Sequence, residues 1–271
     1  MNLSPFYAVV SDLDGTLLKP NHRLGQFTKD ILQKLTQSNI DIIVATGRPY
    51  LDVKEIFAQV PNIKPTLITS NGAIVHNADG QIIFSNYVPS QIAHTLTNLK
   101  IDHHKVCINT YENGHWLIDQ DVPELKVFHQ DSNFTYKITD FSQHQNHNVE
   151  KVFFISYEAT ELAKIEQKIL ALFADKIQMT YSNPHCLEIM NKKVSKASTL
   201  ACLLENRSYH LNNCIAFGDG LNDEAMLKAV GKGCVMQNAD PRLTSSLMHL
   251  EQIGSNGEEA VAHYLQQIFG V

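Results

Sequence analysis

Short continuous apolar runs alternate with stretches in which apolar residues recur every three or four positions. Phe6-Tyr7-Ala8-Val9-Val10 reads as a buried strand. Residues 28–38 carry Ile31, Leu32 and Leu35 at helical spacing, and Asp41-Ile42-Ile43-Val44-Ala45 returns to strand. A second helix is predicted over about 51–59 and a third strand at Thr66-Leu67-Ile68-Thr69. Strands separated by helices predict parallel βαβ units. The three strands run into polar turns, Asp12-Leu13-Asp14-Gly15-Thr16, Thr46-Gly47-Arg48 and Ser70-Asn71-Gly72. Parallel order puts all three turns on one sheet edge, the edge where α/β folds bind ligands.

The pattern then changes. Residues 73–85 read as a hairpin turning at Asn77-Ala78-Asp79-Gly80. From about 86 to 186 the chain is rich in His, Asn and Gln. It mixes short strands (106–110, 116–118, 151–157) with helices (about 90–99 and 159–173). An inserted α+β domain is the expectation. The α/β pattern resumes near Val194, with a helix to Glu205, a strand at 214–217, a helix at 223–230, a strand at 233–236 and a last helix over about 258–269. The predicted organisation is a discontinuous α/β core, 1–85 and 189–271, with 86–188 inserted into it.

Composition narrows the function classes. The chain has 271 residues, more than the usual single-domain length, and 44% are hydrophobic, ample for globular cores. A net charge of −6 argues against a general nucleic-acid or membrane-surface binder, which needs a basic face. No apolar run approaches the ~20 residues that span a bilayer, and the first residues lack a basic segment followed by an apolar one. The five cysteines, Cys107, Cys186, Cys202, Cys214 and Cys234, are scattered and never spaced CxxC. That pattern suits reduced thiols and a cytoplasmic location. Cys214 and Cys234 sit in apolar runs and are expected in the core.

The chemistry concentrates in the turns. Asp12 and Asp14 crowd two carboxylates just past a strand end, where they repel unless a cation or a buried proton separates them. A second acidic turn, Gly218-Asp219-Gly220-Leu221-Asn222-Asp223, follows the apolar strand Cys214-Ile215-Ala216-Phe217. Four carboxylates on loops at one edge suit Mg²⁺, a hard ion that prefers oxygen. Histidine and cysteine are missing from these turns, which argues against Zn²⁺. Thr46-Gly47 offers a hydroxyl and main-chain donors for phosphate, Lys196 a mobile positive charge, and Asn222 an uncharged amide donor. Together these read as phosphoryl transfer through an aspartyl nucleophile. The cation and lysine would cancel repulsion between the attacking carboxylate and an anionic phosphate, and the second aspartate would move the proton. Arg48 is expected in a structural ion pair and Glu188 at a strand end or hinge. His103, His104, His129, His144 and His147 are expected on a solvated surface. Tyr111 and Trp116 suit either a core or stacking on a substrate ring.

The motifs Asp12-Leu13-Asp14-Gly15-Thr16-Leu17-Leu18, Ala45-Thr46-Gly47-Arg48, Thr69-Ser70-Asn71-Gly72-Ala73, Val194-Ser195-Lys196 and Ile215-Ala216-Phe217-Gly218-Asp219-Gly220-Leu221-Asn222-Asp223 occur in that order. The tail Asn256-Gly257-Glu258-Glu259-Ala260-Val261-Ala262 follows them. In this the chain resembles the haloacid dehalogenase superfamily, and within it the Cof-type phosphatases with a large C2 cap. With Cys186-Leu187-Glu188-Ile189-Met190 before the lysine motif, it is most similar to the subgroup of pyridoxal phosphate and sugar phosphate phosphatases. The resemblance implies a Rossmann-like parallel-sheet core with an α+β cap. It makes Asp12 the nucleophile and Asp14 the general acid/base. Mg²⁺ would be held by Asp12, the Asp14 carbonyl, Asp219 and Asp223, and phosphate by the Leu13 backbone, Thr46, Gly47, Lys196 and Asn222. Ala197 and Gln237 stand where the family usually has glycine. The expected function is Mg²⁺-dependent hydrolysis of small phosphomonoesters by a soluble monomer or weak dimer, with pyridoxal phosphate and hexose phosphates as candidate substrates and specificity in 86–188. The alternatives are a phosphotransferase or mutase on the same scaffold, and a non-catalytic phosphate sensor.

Overall fold

The computed structural model of the chain describes residues 5–60, 62–129, 132 and 134–271. Strands β1 (Ala8–Ser11), β2 (Asp41–Ala45), β3 (Thr66–Thr69), β4 (Ile74–His76) and β5 (Ile82–Ser85) come first, with helices α1 (Gln26–Gln37) and α2 (Tyr50–Ala58) between them. Next come α3 (Ser90–Thr97), β6 (Cys107–Glu112), β7 (His115–Ile118), β8 (Tyr136–Ile138), β9 (Val149–Ile155), α4 (Ala159–Phe173), β10 (Ile177–Asn183) and β11 (Cys186–Asn191). The chain closes with α5 (Lys196–Leu204), β12 (Cys214–Gly218), α6 (Glu224–Ala229), β13 (Lys232–Met236), α7 (Pro241–Ser246), β14 (Glu251–Ile253) and α8 (Ala260–Phe269).

Two sheets result. The first has the order β14-β13-β12-β1-β2-β3-β4-β5. It is parallel from β14 to β3 and antiparallel at the β3-β4-β5 end. The apolar runs are continuous because both faces are covered. Val9, Ile42, Val44 and Phe217 pack with α1, α2 and α8 on one side. Ala8, Val10, Ile43 and Ala216 pack with α5, α6 and α7 on the other. Cys214 and Cys234 are buried in these layers. The first strand begins two residues later than the apolar run suggests. The Tyr7 ring stacks on Tyr209 (centroids 6.1 Å apart) and stays exposed, while its main chain bonds Asn213 O (2.8 Å) and the Asp41 N–H (2.9 Å).

The second sheet has the order β10-β11-β9-β6-β7-β8 and is antiparallel except between β7 and β8. Alternate residues divide its faces. Ile108, Leu117, Val152, Phe154, Leu187 and Ile189 bury against α3 and α4. The opposite face presents Tyr111, Trp116, Phe153 and Cys186. Strand β11 runs on to Asn191, so residues 189–191, which the sequence pattern assigned to the core, belong to the second sheet. Ile189 and Met190 are still buried strand residues.

Four elements leave no strong hydrophobic signal. In β14 only Ile253 is buried, β10 is mostly half-exposed, and β8 and α7 are a few residues long. No helix among the described residues is long and apolar enough to cross a membrane.

Candidate active site

The turn leaving β1 begins with Asp12, whose N–H donates to Phe217 O (3.1 Å), joining it to β12. Gly15 follows at φ +73°, and a β-carbon there would lie 2.2 Å from Asp219 Oδ2. Only glycine adopts that backbone freely and admits the aspartate. Leu13 and Leu17 sink into the core on either side and anchor the turn. Leu13 thereby has only its main chain to offer a ligand.

Lys196 opens α5, which Ser195 caps: Ser195 Oγ accepts from Ser198 N–H (3.0 Å), and Ser195 N–H donates to Ser198 Oγ (2.9 Å). The Lys196 side chain reaches the Asp12 carboxylate. It is fully buried, with Nζ 2.8 Å from Asp12 Oδ1 and 2.6 Å from Asp223 Oδ1. Asp223 is in turn fixed by the N–H groups of Asp219 (3.0 Å) and Gly220 (2.9 Å). Thr16 Oγ1 donates to Asp219 Oδ1 at 2.6 Å. One carboxylate oxygen from each of Asp12, Asp219 and Asp223 lies within 4.8 Å of the others.

Burial lowers the affinity of Lys196 for its proton, but the two carboxylates more than reverse this and hold the ammonium charged. One lysine does not balance three acids. Burial, outweighing the pull of Lys196 and aided by repulsion from Asp223 and Asp219, pushes the Asp12 carboxyl well above its usual range. Burial and then Asp223 push Asp219 up to about 7. An all-oxygen donor set with surplus negative charge fits Mg²⁺.

The Asp14 carboxylate lies outside this group, leaving its main-chain carbonyl for any part in a cation site. Arg48 grips it in a two-pronged pair, Nη2 to Oδ1 at 2.6 Å and Nε to Oδ2 at 2.7 Å, with His22 Nδ1 at 3.3 Å. Burial would raise the Asp14 carboxyl, but these bonds and charges drive it below the usual range. Arg48 is indeed ion-paired, and its pairing embraces a predicted site residue. Its Nη1 donates to the fully buried Asp52 (2.9 Å), which also meets His129 Nδ1 (2.8 Å) and Ser132 Oγ.

Thr46 and Gly47 reach the same edge. Thr46 Oγ1 accepts from Arg48 N–H at 3.1 Å, and Gly47 O accepts from Lys151 Nζ at 2.8 Å. Asn222 Nδ2 donates to Asn71 Oδ1 at 3.1 Å. Asp12, Asp14, Thr46, Gly47, Asp219 and Asn222 all border one cavity of about 480 Å³, with the helix-free face of the second sheet as its opposite wall. Lys196 and Asp223 sit behind the acids, fully buried.

Several expectations change here. Glu188 is not at a strand end. It is buried within β11, paired with Lys151 and accepting from Asn71 Nδ2. His129 is buried, not solvated, because it docks on Asp52 and packs edge-on against Trp116 (centroids 5.1 Å apart). His144 is half-buried against Glu112 (2.7 Å). His103, though exposed, bonds Asp119 at 2.7 Å, and His104 and His147 are exposed. Tyr111 and Trp116 are buried in the second sheet and also line the cavity. Lys151 and Asp52 received no role from sequence. For Lys151 the available signal was the charged pair Glu150-Lys151 inside the apolar stretch Val149-Glu150-Lys151-Val152-Phe153-Phe154, because charged groups are rarely buried unpaired.

A family model described as haloacid dehalogenase-like hydrolase matches residues 9–265. A Haemophilus influenzae protein named "Putative phosphatase" is 46% identical over 271 residues, covering 100% of this chain and 99% of its own. A Cronobacter sakazakii protein named HMP-PP phosphatase is 33% identical over 254 residues, 94% of this chain and 92% of its own. A solved haloacid dehalogenase-like hydrolase from B. subtilis superimposes with a TM-score of 0.85 at 24% identity, covering 96% and 99% of the two chains, a likeness of fold.

Proposed function

The chain belongs to the haloacid dehalogenase-like hydrolase family and is a phosphatase, and from that premise we propose that it hydrolyses small phosphomonoesters through a phosphoaspartate on Asp12. The observation that carries this reading is the floor of the cavity. There a buried ammonium lies 2.8 Å from the Asp12 carboxylate, and three acidic side chains converge within 4.8 Å.

Asp12 attacks phosphorus and the ester oxygen leaves. Lys196 holds Asp12 in place and offsets the charge that builds as two anions approach. The Leu13 N–H, Thr46, Gly47 and Asn222 hold the transferring phosphoryl oxygens. Asp12, Asp219, Asp223 and the Asp14 carbonyl would hold Mg²⁺, which when bound neutralises phosphate and carboxylate together.

Asp14 gives the leaving oxygen its proton and then takes one from the water that cleaves the acyl phosphate, releasing phosphate and restoring Asp12. Paired with Arg48, Asp14 is an ionised base. To act as an acid it must turn off the guanidinium, whose other edge stays on Asp52.

We assign 1–85 and the segment after Asn191 to a catalytic core, and 86–191 to a cap that excludes water and selects the leaving group. Tyr111, Trp116, Phe153 and Tyr157 border the cavity. Flat aromatic walls favour a flat ring over a polyhydroxylated one, so pyridoxal phosphate is preferred to hexose phosphates. HMP-PP, after which the Cronobacter relative is named, belongs in the same test.

The test is phosphate release from pyridoxal phosphate, HMP-PP, hexose phosphates, nucleotides and an aryl phosphate, each with Mg²⁺ and with EDTA. Mg²⁺-dependent release, highest with ring-bearing esters, is expected. Absence of release from every ester by folded protein overturns the hydrolase reading. Transfer of phosphate to an added sugar replaces it with the phosphotransferase.

A further inference from the structure

A chain of polar side chains runs from the second sheet to the proposed phosphate site. Lys151 Nζ pairs with Glu188 Oε1, the other Glu188 oxygen accepts from Asn71 Nδ2, and Asn71 Oδ1 accepts from Asn222 Nδ2 at 3.1 Å. Lys151, Glu188 and Asn71 are each at most 2% exposed. Direction along the chain is fixed by chemistry. An ammonium only donates, and a carboxylate paired with it only accepts. Glu188 therefore obliges Asn71 to present its NH₂ group, and the Asn71 carbonyl must then face Asn222. That obliges Asn222 to present its own NH₂, one hydrogen of which Asn71 takes and the other of which is left for a ligand.

The turn carrying Asn71 is held in an uncommon shape. Ser70 and Asn71 both lie in the left-handed region, at φ 50° and 59°. Asn71 tolerates this better than most residues. Main-chain bonds from Ser70 N–H to Arg48 O (2.9 Å) and from Asn71 N–H to Thr46 O (2.9 Å) tie the turn to the loop after β2. Consecutive conformations of this kind persist where surroundings over-determine them, often at functional sites.

We propose that Glu188 is a positioning residue that acts through Asn71 to set the amide orientation of Asn222 toward phosphate. The inference rests on the reading of Asn222 as a phosphate ligand. It gives residues on the second sheet control over phosphate binding without contact with the phosphate.

Inorganic phosphate, the product, is the probe, measured as a competitive inhibitor of the full-length enzyme in Mg²⁺. Asn222→Ala should weaken phosphate inhibition about tenfold. Glu188→Gln keeps the shape but lets Asn71 flip. It should raise the inhibition constant and KM by a similar factor, with a smaller change in kcat. The double variant should be no weaker than Asn222→Ala alone, a non-additivity that a merely structural glutamate would not produce. Asn71→Gly removes the link at a position whose backbone suits glycine. It should match Glu188→Gln, and it carries the test if Glu188→Gln does not fold. Wild-type phosphate inhibition in Glu188→Gln or Asn71→Gly, beside a weakened Asn222→Ala, overturns the relay. Unchanged inhibition in Asn222→Ala overturns the phosphate-ligand reading and the relay with it.

Discussion

Replacing Lys196 by methionine keeps the length of the side chain and removes its charge. In the structure that charge is fully buried against Asp12 and Asp223 at 2.8 and 2.6 Å, with Asp219 close by. Removing one partner of a buried ion pair leaves an uncompensated charge and typically costs about 3–5 kcal/mol. For a chain near this size, each kcal/mol moves the melting temperature by roughly 2–4 °C. Lys196→Met in EDTA at pH 8 should therefore melt on the order of 6–20 °C below wild type. The deficit has a definite pH dependence. Burial raises the Asp12 carboxyl even with Lys196 present, and without the ammonium its folded-state affinity for a proton rises further. A group raised on folding contributes stability at low pH and loses it as pH rises, so the deficit should widen from pH 5 to pH 8. Mg²⁺ should narrow it, because a ligand at a hundred times its dissociation constant adds ~2.7 kcal/mol and the variant offers that cation one more uncompensated charge. Calorimetry or thermal denaturation across pH, with Mg²⁺ and with EDTA, reads all three effects. A variant that melts with wild type in EDTA at pH 8 would refute the reasoning, since the lysine would then not be the counter-ion of the cluster.

Asp12→Asn should abolish turnover while leaving the protein folded, and activity within tenfold of wild type would remove Asp12 as nucleophile. Gly15→Ala places a methyl 2.2 Å from Asp219 Oδ2 at a φ of +73°; a Mg²⁺ titration of activity should shift at least tenfold upward, and an unshifted titration would show that the Asp219 position is unimportant. His76 is buried on β4, stacked on Tyr50 (centroids 3.6 Å apart), and its Nδ1 has no hydrogen-bond partner. Burial lowers its pKa to about 4, so the unfolded chain takes up its proton first as pH falls. Its contribution to stability is present above about 6.5 and is lost toward pH 4, up to ~3 kcal/mol. His76→Phe should flatten that part of a urea-midpoint profile; parallel acid limbs for the two proteins would contradict it.

The parts of the fold legible in sequence share one property: their hydrophobic pattern is set by burial on both faces or on one helical stripe. The apolar runs of β1, β2, β3 and β12 are uninterrupted because α1, α2 and α8 cover one face and α5, α6 and α7 the other. β10 and β14 bury too little to leave such a pattern. The acidic turns were legible because like charges packed at strand ends call for a counter-charge. The partners of those charges were not. Asp14 to Arg48 spans 34 positions, Arg48 joins Asp52 four positions on, and Asp52 joins His129 77 positions further. Nothing in local pattern links such residues. Lys151 and Glu188 looked like ordinary polar interruptions until pairing across β9 and β11 brought them together.

Hydrogen bonds across the cavity edge join the second sheet and its β7–β8 loop to α2 and to the turns of the first sheet. His129 and Ser132 bond Asp52, Glu150 accepts from Ser70, Lys151 donates to Gly47 O at 2.8 Å, and Glu188 accepts from Asn71. Gly47 is a proposed site group, and two of the other ends hold one. Asp52 holds Arg48 and so Asp14, and Asn71 holds Asn222. Buried polar groups of this kind are costly when half satisfied, so withdrawing the second sheet would leave Asp52, Gly47 and Asn71 short of partners and loosen Asp14 and Asn222 together. Docking of the two sheets and ordering of the site should then respond together to a ligand. A substrate that bridges the two sheets would stabilise both at once, whereas inorganic phosphate alone engages only the first sheet directly. Full-length protein should therefore gain more protection from amide exchange at 149–155 and 186–191 with a bound ring-bearing phosphate ester in Asp12→Asn than with phosphate. Equal protection by the two ligands would place the coupling entirely in the phosphate site.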